Sequence, residues 1–217
     1  MTVRGESGDV DAASEGLQQP AGACRAWSFP IEGERVRLRR LRPEDAEDFR
    51  GYRSDPDVGL YQGWSPMDGA EALAFIDSMR DVDGPVPGQW IQLAIALRDG
   101  DRLVGDVGLH LVEDGRAVQV GYSCARAFQR QGLTSEAVRL LLASVAHGTA
   151  CAKVVAVIDS RNVASERLLK SLRFNAVTTV STVFRGEPCV EVTYELPLQG
   201  SAAPAPAGPT SPHASTS

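Results

Sequence analysis

The sequence predicts an α/β fold in which helices cover the faces of one mixed β-sheet. Two observations carry this prediction. Seven short stretches are rich in apolar residues with the alternation typical of strands, and four segments between them place apolar residues at helical spacing. The predicted order is β-α-α-β-β-β-α-β-α-β-β, which differs from the regular alternation of a doubly wound sheet.

The first third of the predicted domain supplies one strand and two helices. Residues 34–41 alternate arginine with apolar residues, which indicates a strand. Residues 42–55 follow with Pro43 and acidic side chains in the first turn, both of which are favoured at helix N-termini. Residues 68–80 form the second predicted helix.

Three strands joined by short turns come next. Residues 90–97 and 102–112 flank an Asp-Gly turn, so we expect them to pair as a β-hairpin. Residues 116–124 add a third strand after another short turn.

The rest of the predicted domain alternates helix and strand and ends in a hairpin. A helix begins at Gly132, with an apolar face formed by Leu133, Ala137, Leu140, Leu141 and Val145. The elements after it are a strand at 152–158, a helix at 162–172 and strands at 174–184 and 189–198.

Both ends of the chain have the composition of disordered tails. Residues 1–28 are polar and small, and residues 199–217 are rich in Pro, Ala and Ser. Neither segment can bury enough apolar surface to offset the entropy lost on ordering. We therefore expect one folded domain at residues 29–198.

Composition and charge argue against several classes of protein. The net charge of −6 gives no footprint for nucleic acid, and no apolar stretch is long enough to span a membrane. The four cysteines are scattered without a C-x-x-C pair, which argues against a metal site. The N-terminus lacks the apolar segment of a signal peptide. We expect a cytoplasmic protein with no metal, no nucleic-acid partner and no membrane partner.

The turn before the helix at Gly132 is the first candidate site. A helix N-terminus carries unpaired N–H groups and a partial positive charge, and a proline-free loop entering it can direct several N–H groups at one phosphate. The residues that keep their N–H here are Arg130, Gln131, Gly132, Leu133 and Thr134. The alternative is that Gly132 only makes a tight connection from strand to helix.

The segment resembles the pyrophosphate-binding motif Q/R-x-x-G-x-G/A of the GNAT family of N-acetyltransferases. The matching residues are Gln129, Arg130, Gln131, Gly132, Leu133 and Thr134, although Thr134 replaces a small residue and Arg130 stands where glycine is common. The resemblance covers about residues 34–196 and includes "NVASERLLKSLRF" at the expected separation. Within the family the chain is most similar to the RimJ/RimL-type ribosomal-protein-alanine acetyltransferases, which "YQGW" at residues 61–64 also resembles.

This resemblance implies a mostly antiparallel sheet whose two central parallel strands splay apart, with acetyl-CoA as the cosubstrate and no metal. The pantetheine arm of the cofactor would lie in the gap, paired with the backbone of Tyr122, Ser123, Cys124 and Ala125. An amine would attack the thioester directly. The family contains both monomers and homodimers.

Asn162 and Ser165 are three residues apart at the start of a predicted helix. Helix capping explains this spacing, since Asn162 can accept a hydrogen bond from the Ser165 N–H. The resemblance adds that Asn162 and Ser165 contact coenzyme A and that Ser165 is the acid that protonates the departing thiolate. Tyr122 is a second candidate acid, with a core tyrosine as the alternative.

The catalytic base has no single candidate in the sequence. Gln119 occupies a position where many relatives carry glutamate, and glutamine cannot take a proton. Asp106 and His110 lie four residues apart on one strand, so they share a polar face that is either exposed or lines the substrate cleft. Histidine is the side-chain type suited to accept a proton near neutral pH, so His110 is a candidate base. The alternatives are a structural or solvated histidine, with a water chain removing the proton.

The subgroup resemblance favours a protein N-terminal α-amine as the acceptor. A small-molecule amine such as an aminoglycoside or a polyamine is an alternative. A second alternative is a regulatory module that binds acyl-CoA without turnover. Gln119 and Arg130, which depart from the family pattern, are the residues that support it. Tyr61 and Trp64 resemble residues in the wall of the family's substrate groove, with core packing as the alternative reading.

Overall fold

The computed structural model describes residues 27–81 and 83–198 of the 217-residue chain. The predicted tails lie outside the described residues, except for residues 27 and 28. Trp27 lies two residues before the predicted start of the domain and is buried in the main core. The backbone N–H of Trp27 donates to the Asp83 carbonyl at 2.8 Å. The packed part of the chain therefore includes Trp27.

The fold is the predicted mixed α/β arrangement, built on one eight-stranded sheet. Its strands lie side by side in chain order, except that the last two are exchanged. The strands are β1 (Ile31–Glu32), β2 (Val36–Arg40), β3 (Trp90–Leu97), β4 (Leu103–Leu111), β5 (Ala117–Cys124), β6 (Lys153–Asp159), β7 (Asn175–Phe184) and β8 (Glu187–Pro197). Only β5 and β6 pair in parallel among the described strands. All seven predicted strands are confirmed, and the two-residue β1 is an addition.

The helices are α1 (Ala46–Arg53), α2 (Pro56–Gly59), α3 (Gly69–Ser78), α4 (Leu133–Gly148) and α5 (Val163–Ser171). The predicted helix at 42–55 is shorter and begins with a 3-10 turn, Pro43–Asp45. Pro56 explains the break, because proline disfavours helical geometry in the residue before it. Asp55 then caps the short helix α2, with its side chain accepting from the Asp57 N–H.

Each face of the sheet has its own hydrophobic core. On one face, α4 and α5 pack on the sheet through residues such as Leu141 and Leu169, both fully buried. On the other face, α1 and α3 pack over β3 and β4 through Phe49 and Ile76.

The two parallel strands separate soon after they pair. β5 and β6 are in register only from Ala117 to Gln119, opposite Lys153 to Val155. Beyond Gln119, β5 continues to Cys124 paired with β4 alone, while β6 continues paired with β8. A V-shaped gap therefore opens between β5 and β6, as the predicted splay requires.

Candidate active site

The open edge of β5 forms one side of the gap. The Ala125 N–H, just after β5, donates to the Val104 carbonyl at 2.9 Å. The odd-numbered residues of β5 therefore direct their backbone N–H and C=O groups toward β4. Backbone groups alternate sides along a strand. Those of Val120, Tyr122 and Cys124 therefore face the gap.

This alternation corrects the prediction that four consecutive residues pair with a cofactor arm. Tyr122 and Cys124 present backbone groups to the gap, but those of Ser123 face β4 and the Ala125 N–H is already bonded there. The Ser123 hydroxyl is buried with no hydrogen-bond partner among the described residues. A strand edge offers every second residue, so the edge of β5 that faces the gap is formed by Val120, Tyr122 and Cys124.

The loop before α4 has the geometry of an anion site. Arg130 and Gly132 both adopt left-handed conformations, with φ of 59° and 78°. The first helical bond runs from the Glu136 N–H to the Gly132 carbonyl at 3.1 Å, so the three N–H groups before Glu136 have no carbonyl partner in the helix. Such a concave run of N–H groups at a helix N-terminus fits a diphosphate.

The glutamine side chains of this loop hold its shape. Gln129 donates through Nε2 to the Cys124 carbonyl at 3.0 Å, and Gln131 donates to the Ala127 carbonyl at 2.9 Å. Arg35 secures the loop from β2's side by donating to the Gln131 carbonyl at 2.8 Å. The predicted cofactor residues Gln129 and Gln131 therefore shape the loop with their side chains and leave contact with an anion to backbone N–H groups.

Leu133 and Thr134 direct their side chains into the protein. Leu133 is buried in the main core. The Thr134 hydroxyl hydrogen-bonds the Cys124 thiol. Burial raises the pKa of that thiol, and the bond from Thr134 offsets only part of the rise. Cys124 is therefore a protonated thiol at neutral pH.

Asn162, Ser165 and Tyr122 meet at the mouth of the gap. Asn162 caps α5, and its Oδ1 accepts from the Ser165 N–H at 3.1 Å, as the capping interpretation predicts. The Tyr122 hydroxyl donates to the Ser165 carbonyl at 3.4 Å. Burial raises the pKa of Tyr122 to about 12, so its phenol keeps its proton at neutral pH.

The structure corrects the prediction for the polar face of β4 at Asp106. This residue is fully buried and neither faces solvent nor lines a cleft. It pairs with Arg53 at 3.2 Å and accepts hydrogen bonds from the Tyr52 hydroxyl and the Gln92 side chain. Burial, followed by the negative charge of Asp106, raises the pKa of Tyr52 well above its usual value. These contacts attach α1 to the sheet.

His110 lies at the other end of that face, at the vertex of the gap. It is half-buried, and its ring stacks on Trp90 with centroids 5.3 Å apart and 27° between planes. Its strand partner is Gln119, the last residue of β5 that pairs with β6. His110 and Asp106 therefore have different environments: Asp106 is buried and ion-paired, and His110 is half-buried and stacked on Trp90.

Residues 60–64, which we call the strap, cross the mouth of the gap. The Tyr61 hydroxyl donates to the Arg161 carbonyl at 3.4 Å. Gln62 donates through Nε2 to the Tyr122 carbonyl at 3.3 Å. The strap therefore joins the strand on one side of the gap to the turn after the strand on the other.

Trp64, at the end of the strap, packs against the protein. The guanidinium of Arg53 lies 4.2 Å from its ring centroid, and its Nε1 donates to the Arg53 carbonyl at 3.2 Å. Of the two predicted substrate residues, only Tyr61 lies over the gap; Trp64 has the packing role that was its alternative. Arg185, in the turn between β7 and β8, donates to the carbonyls of Gln62 and Trp64 at 3.0 and 2.7 Å.

Sequence reasoning missed Gln62, Arg185 and Arg53. Their partners are 60, 123 and 53 positions away in the chain, and no motif joins them. Arg53 could have been suspected only because a polar Asp106 interrupts an apolar strand and so needs a partner.

Two further features bear on the predictions of absence. Within residues 27–81 and 83–198, no three His, Cys, Asp or Glu side chains are grouped so as to hold a metal ion. None of the helices in these segments combines the length and apolar character that crossing a membrane requires.

Comparisons with known proteins agree with this geometry. The family model of the acetyltransferase (GNAT) domain matches residues 35–175. The uncharacterised N-acetyltransferase p20 of Bacillus licheniformis is 31% identical over 144 residues, which cover 65% of this chain and 79% of p20.

Solved structures share the fold at low sequence identity. A GNAT-family acetyltransferase from Bacillus anthracis superposes with a TM-score of 0.71 at 18% identity, covering 79% of this chain and all of that one. RimL, a ribosomal α-N-protein acetyltransferase solved with coenzyme A, gives a TM-score of 0.66 at 15% identity, covering 78% of this chain and 97% of RimL. The chain therefore belongs to the GNAT family and is an acetyl-CoA-dependent N-acetyltransferase.

Proposed function

We propose that the chain acetylates the α-amine of a protein N-terminus by direct attack of the amine on the acetyl thioester. The observation that carries this proposal is the chemistry of the sheet face from which an acceptor can approach. Helices α4 and α5 cover the opposite face of the sheet. The acceptor therefore comes over Gly121, where an added Cβ would meet no atom within 4 Å.

The vertex on this face carries three uncharged side chains and one histidine. Trp90, His110, Gln119 and Val155 lie in one register row across β3 to β6. The next residue in the row, Glu195, is ion-paired with Lys153 at 2.6 Å. Several cationic groups on one acceptor would need complementary unpaired carboxylates. The row thus suits an acceptor with a single amine better than a polyamine or an aminoglycoside.

The RimJ/RimL-like assignment belongs to this proposal. It is supported by the residues at 61–64 and by the fold shared with RimL, a ribosomal α-N-protein acetyltransferase. The backbone edge at Val120, Tyr122 and Cys124 and the loop at 129–134 supply cofactor contacts, together with the side-chain NH₂ of Asn162.

The chemical steps are assigned to three side chains. His110 accepts the proton of the amine, through water above Gly121. Ser165 protonates the departing thiolate, and the raised pKa of Tyr122 leaves its phenol as a proton donor beside Ser165. The cofactor site holds the thioester close to the amine, which contributes much of the rate.

Release of coenzyme A with a panel of acceptors tests the function. The panel holds short peptides with free N-termini, the same peptides with blocked N-termini and one lysine, spermidine and kanamycin. We expect turnover only with free N-termini. Turnover with spermidine or kanamycin alone would identify a small-molecule enzyme. Binding of acetyl-CoA by calorimetry without turnover on any acceptor would identify a regulatory module.

A further inference from the structure

The stacked pair of Trp90 and His110 is the largest exposed aromatic feature beside the proposed path of the acceptor. Trp90 is 46% exposed although it begins a strand whose next residue, Ile91, is fully buried. Its ring lies against His110 on the same sheet face as Gln119, by strand register. An exposed, ordered indole at this place offers a flat apolar surface to a ligand.

We propose that Trp90 binds the side chain of the third residue of the acceptor peptide and selects large apolar or aromatic residues there. This inference rests on the proposed function. It names a specificity-determining residue, in contact with the acceptor and away from the reacting atoms.

Strand geometry sets the position of the selected residue. Trp90 and Gln119 are two strands apart, which corresponds to about 10 Å across the sheet. An extended peptide rises about 3.3 Å per residue, so its third residue lies about 7 Å from its first. With the amine over the vertex, this residue lies between β4 and β3, over the stacked rings of His110 and Trp90. Side chains one and three of an extended peptide point to the same side, so both face the sheet.

The surface between the vertex and Trp90 can admit such a peptide. Gly121 on β5 has no side chain to block the path, while the Gln92 side chain covers its strand partner Gly108 on β4. An added Cβ at Gly121 would lie in open space. The groups that border the path are the imidazole of His110 and the amides of Gln92 and Gln119, so no carboxylate, ammonium or guanidinium group meets an apolar side chain there.

The test is a set of peptides that differ only at the third residue, which is Gly, Asp, Leu or Phe. We expect wild-type kcat/KM to be about three- to tenfold higher for Leu and Phe than for Gly, the range that one aromatic contact supplies. In Trp90→Ala this ratio should fall to near one, and Trp90→Phe should restore most of it. Leu73→Ala is the matched control, since Leu73 is also 46% exposed but lies on α3; it should keep the ratio.

The outcomes separate the two proposals. Turnover of all four peptides with equal efficiency, or a preference that survives in Trp90→Ala, would overturn the assignment of Trp90 alone. Failure to acetylate any peptide would overturn the N-terminal acceptor and this assignment together. Acetyl-CoA binding measured by calorimetry on each variant reports whether the fold is intact.

Discussion

The side-chain amide of Gln62 donates to the backbone carbonyl of Tyr122 at 3.3 Å. That carbonyl faces the gap between β5 and β6 and is one of the groups that we propose to pair with the pantetheine arm. Gln62 therefore occupies, from within the chain, a hydrogen-bonding position on the cofactor's path. The strap that carries it is held by the Arg185 guanidinium, which bonds the Gln62 and Trp64 carbonyls.

Removing this donor should strengthen cofactor binding. In Gln62→Leu the hydrogen bond from the Gln62 side chain to the Tyr122 carbonyl is lost. Acetyl-CoA then binds without having to displace it. A hydrogen bond contributes about 0.5–1.5 kcal/mol net, so we expect Kd to fall by about two- to tenfold. Isothermal titration calorimetry measures the Kd for acetyl-CoA. The control is Gln89→Leu, a change at an exposed glutamine outside the gap. Weaker binding in Gln62→Leu would show that Gln62 turns to bind the cofactor instead.

Ser165 should be needed for the chemical step more than for binding. Ser165→Ala removes the proposed proton donor but keeps the N–H that Asn162 caps. General acid catalysis contributes about 10²-fold or more, so kcat should fall by about that factor while KM for acetyl-CoA changes little. Ser171→Ala, on the same helix with its hydroxyl bonded to the Leu168 carbonyl, is the control. An unchanged kcat and pH profile would remove Ser165 from the mechanism.

Replacement of Gly132 by a residue with a side chain should reduce stability and cofactor binding. Its φ of 78° is strained for other residues by about 1–2 kcal/mol, and an added Cβ would lie 3.3 Å from Arg35 Nη2. We expect Gly132→Ala to lower the free energy of unfolding by about that amount and to weaken coenzyme A binding. Gly51→Ala, inside α1 with no atom near its Cβ, should instead stabilise by about 0.5–1 kcal/mol. Urea unfolding and calorimetry measure both effects, and unchanged coenzyme A binding in Gly132→Ala would contradict the anion-site assignment.

Local patterns in the sequence were sufficient for the elements and for the turn at Gly132. Trp90–Leu97 has the predicted strand bounds, because its alternation ends at a turn on one side. The helix predicted to begin at Gly132 begins one residue later, at Leu133, with Gly132 as its left-handed N-cap. A glycine before a helical apolar stripe is a local signal for such a start. The predicted fold class is confirmed because it depends on element order, which local patterns determine. The splay of β5 from β6, which the family resemblance implied, is also confirmed.

The environment of single side chains could not be predicted in this way. Asp106 and His110 share a face and a strand, yet Asp106 is buried under α1 and His110 is half-buried beside Trp90. The difference arises because Tyr52 and Arg53 of α1 contact Asp106, and these partners come from more than fifty residues away in the chain. The expected pairing of four consecutive residues with the cofactor overlooked a simpler fact, since backbone groups alternate sides along a strand and those of Ser123 and Ala125 face β4.

Glu136 joins α4 to β2 and should make stability depend on pH. Its carboxylate accepts from the Arg35 and Val36 N–H groups at 2.7 and 3.2 Å and pairs with the Arg35 guanidinium at 3.0 Å. Burial alone would raise the pKa of Glu136, but the hydrogen bonds and the charge of Arg35 outweigh it and lower the pKa. The folded chain therefore binds the proton at this site more weakly than the unfolded chain does.

This sign predicts a stabilisation that is complete above the ordinary pKa of a glutamate and fades as the pH falls through the lowered value. Glu136→Gln should reduce the free energy of unfolding by about 1–3 kcal/mol at pH 7. The difference from wild type should shrink as the pH falls from about 5 to 3. Urea unfolding at several pH values measures it, with the exposed Glu47→Gln as the control. A difference that stays constant over this range would mean that Glu136 stabilises by hydrogen bonding that the neutral amide also provides, and not by its charge.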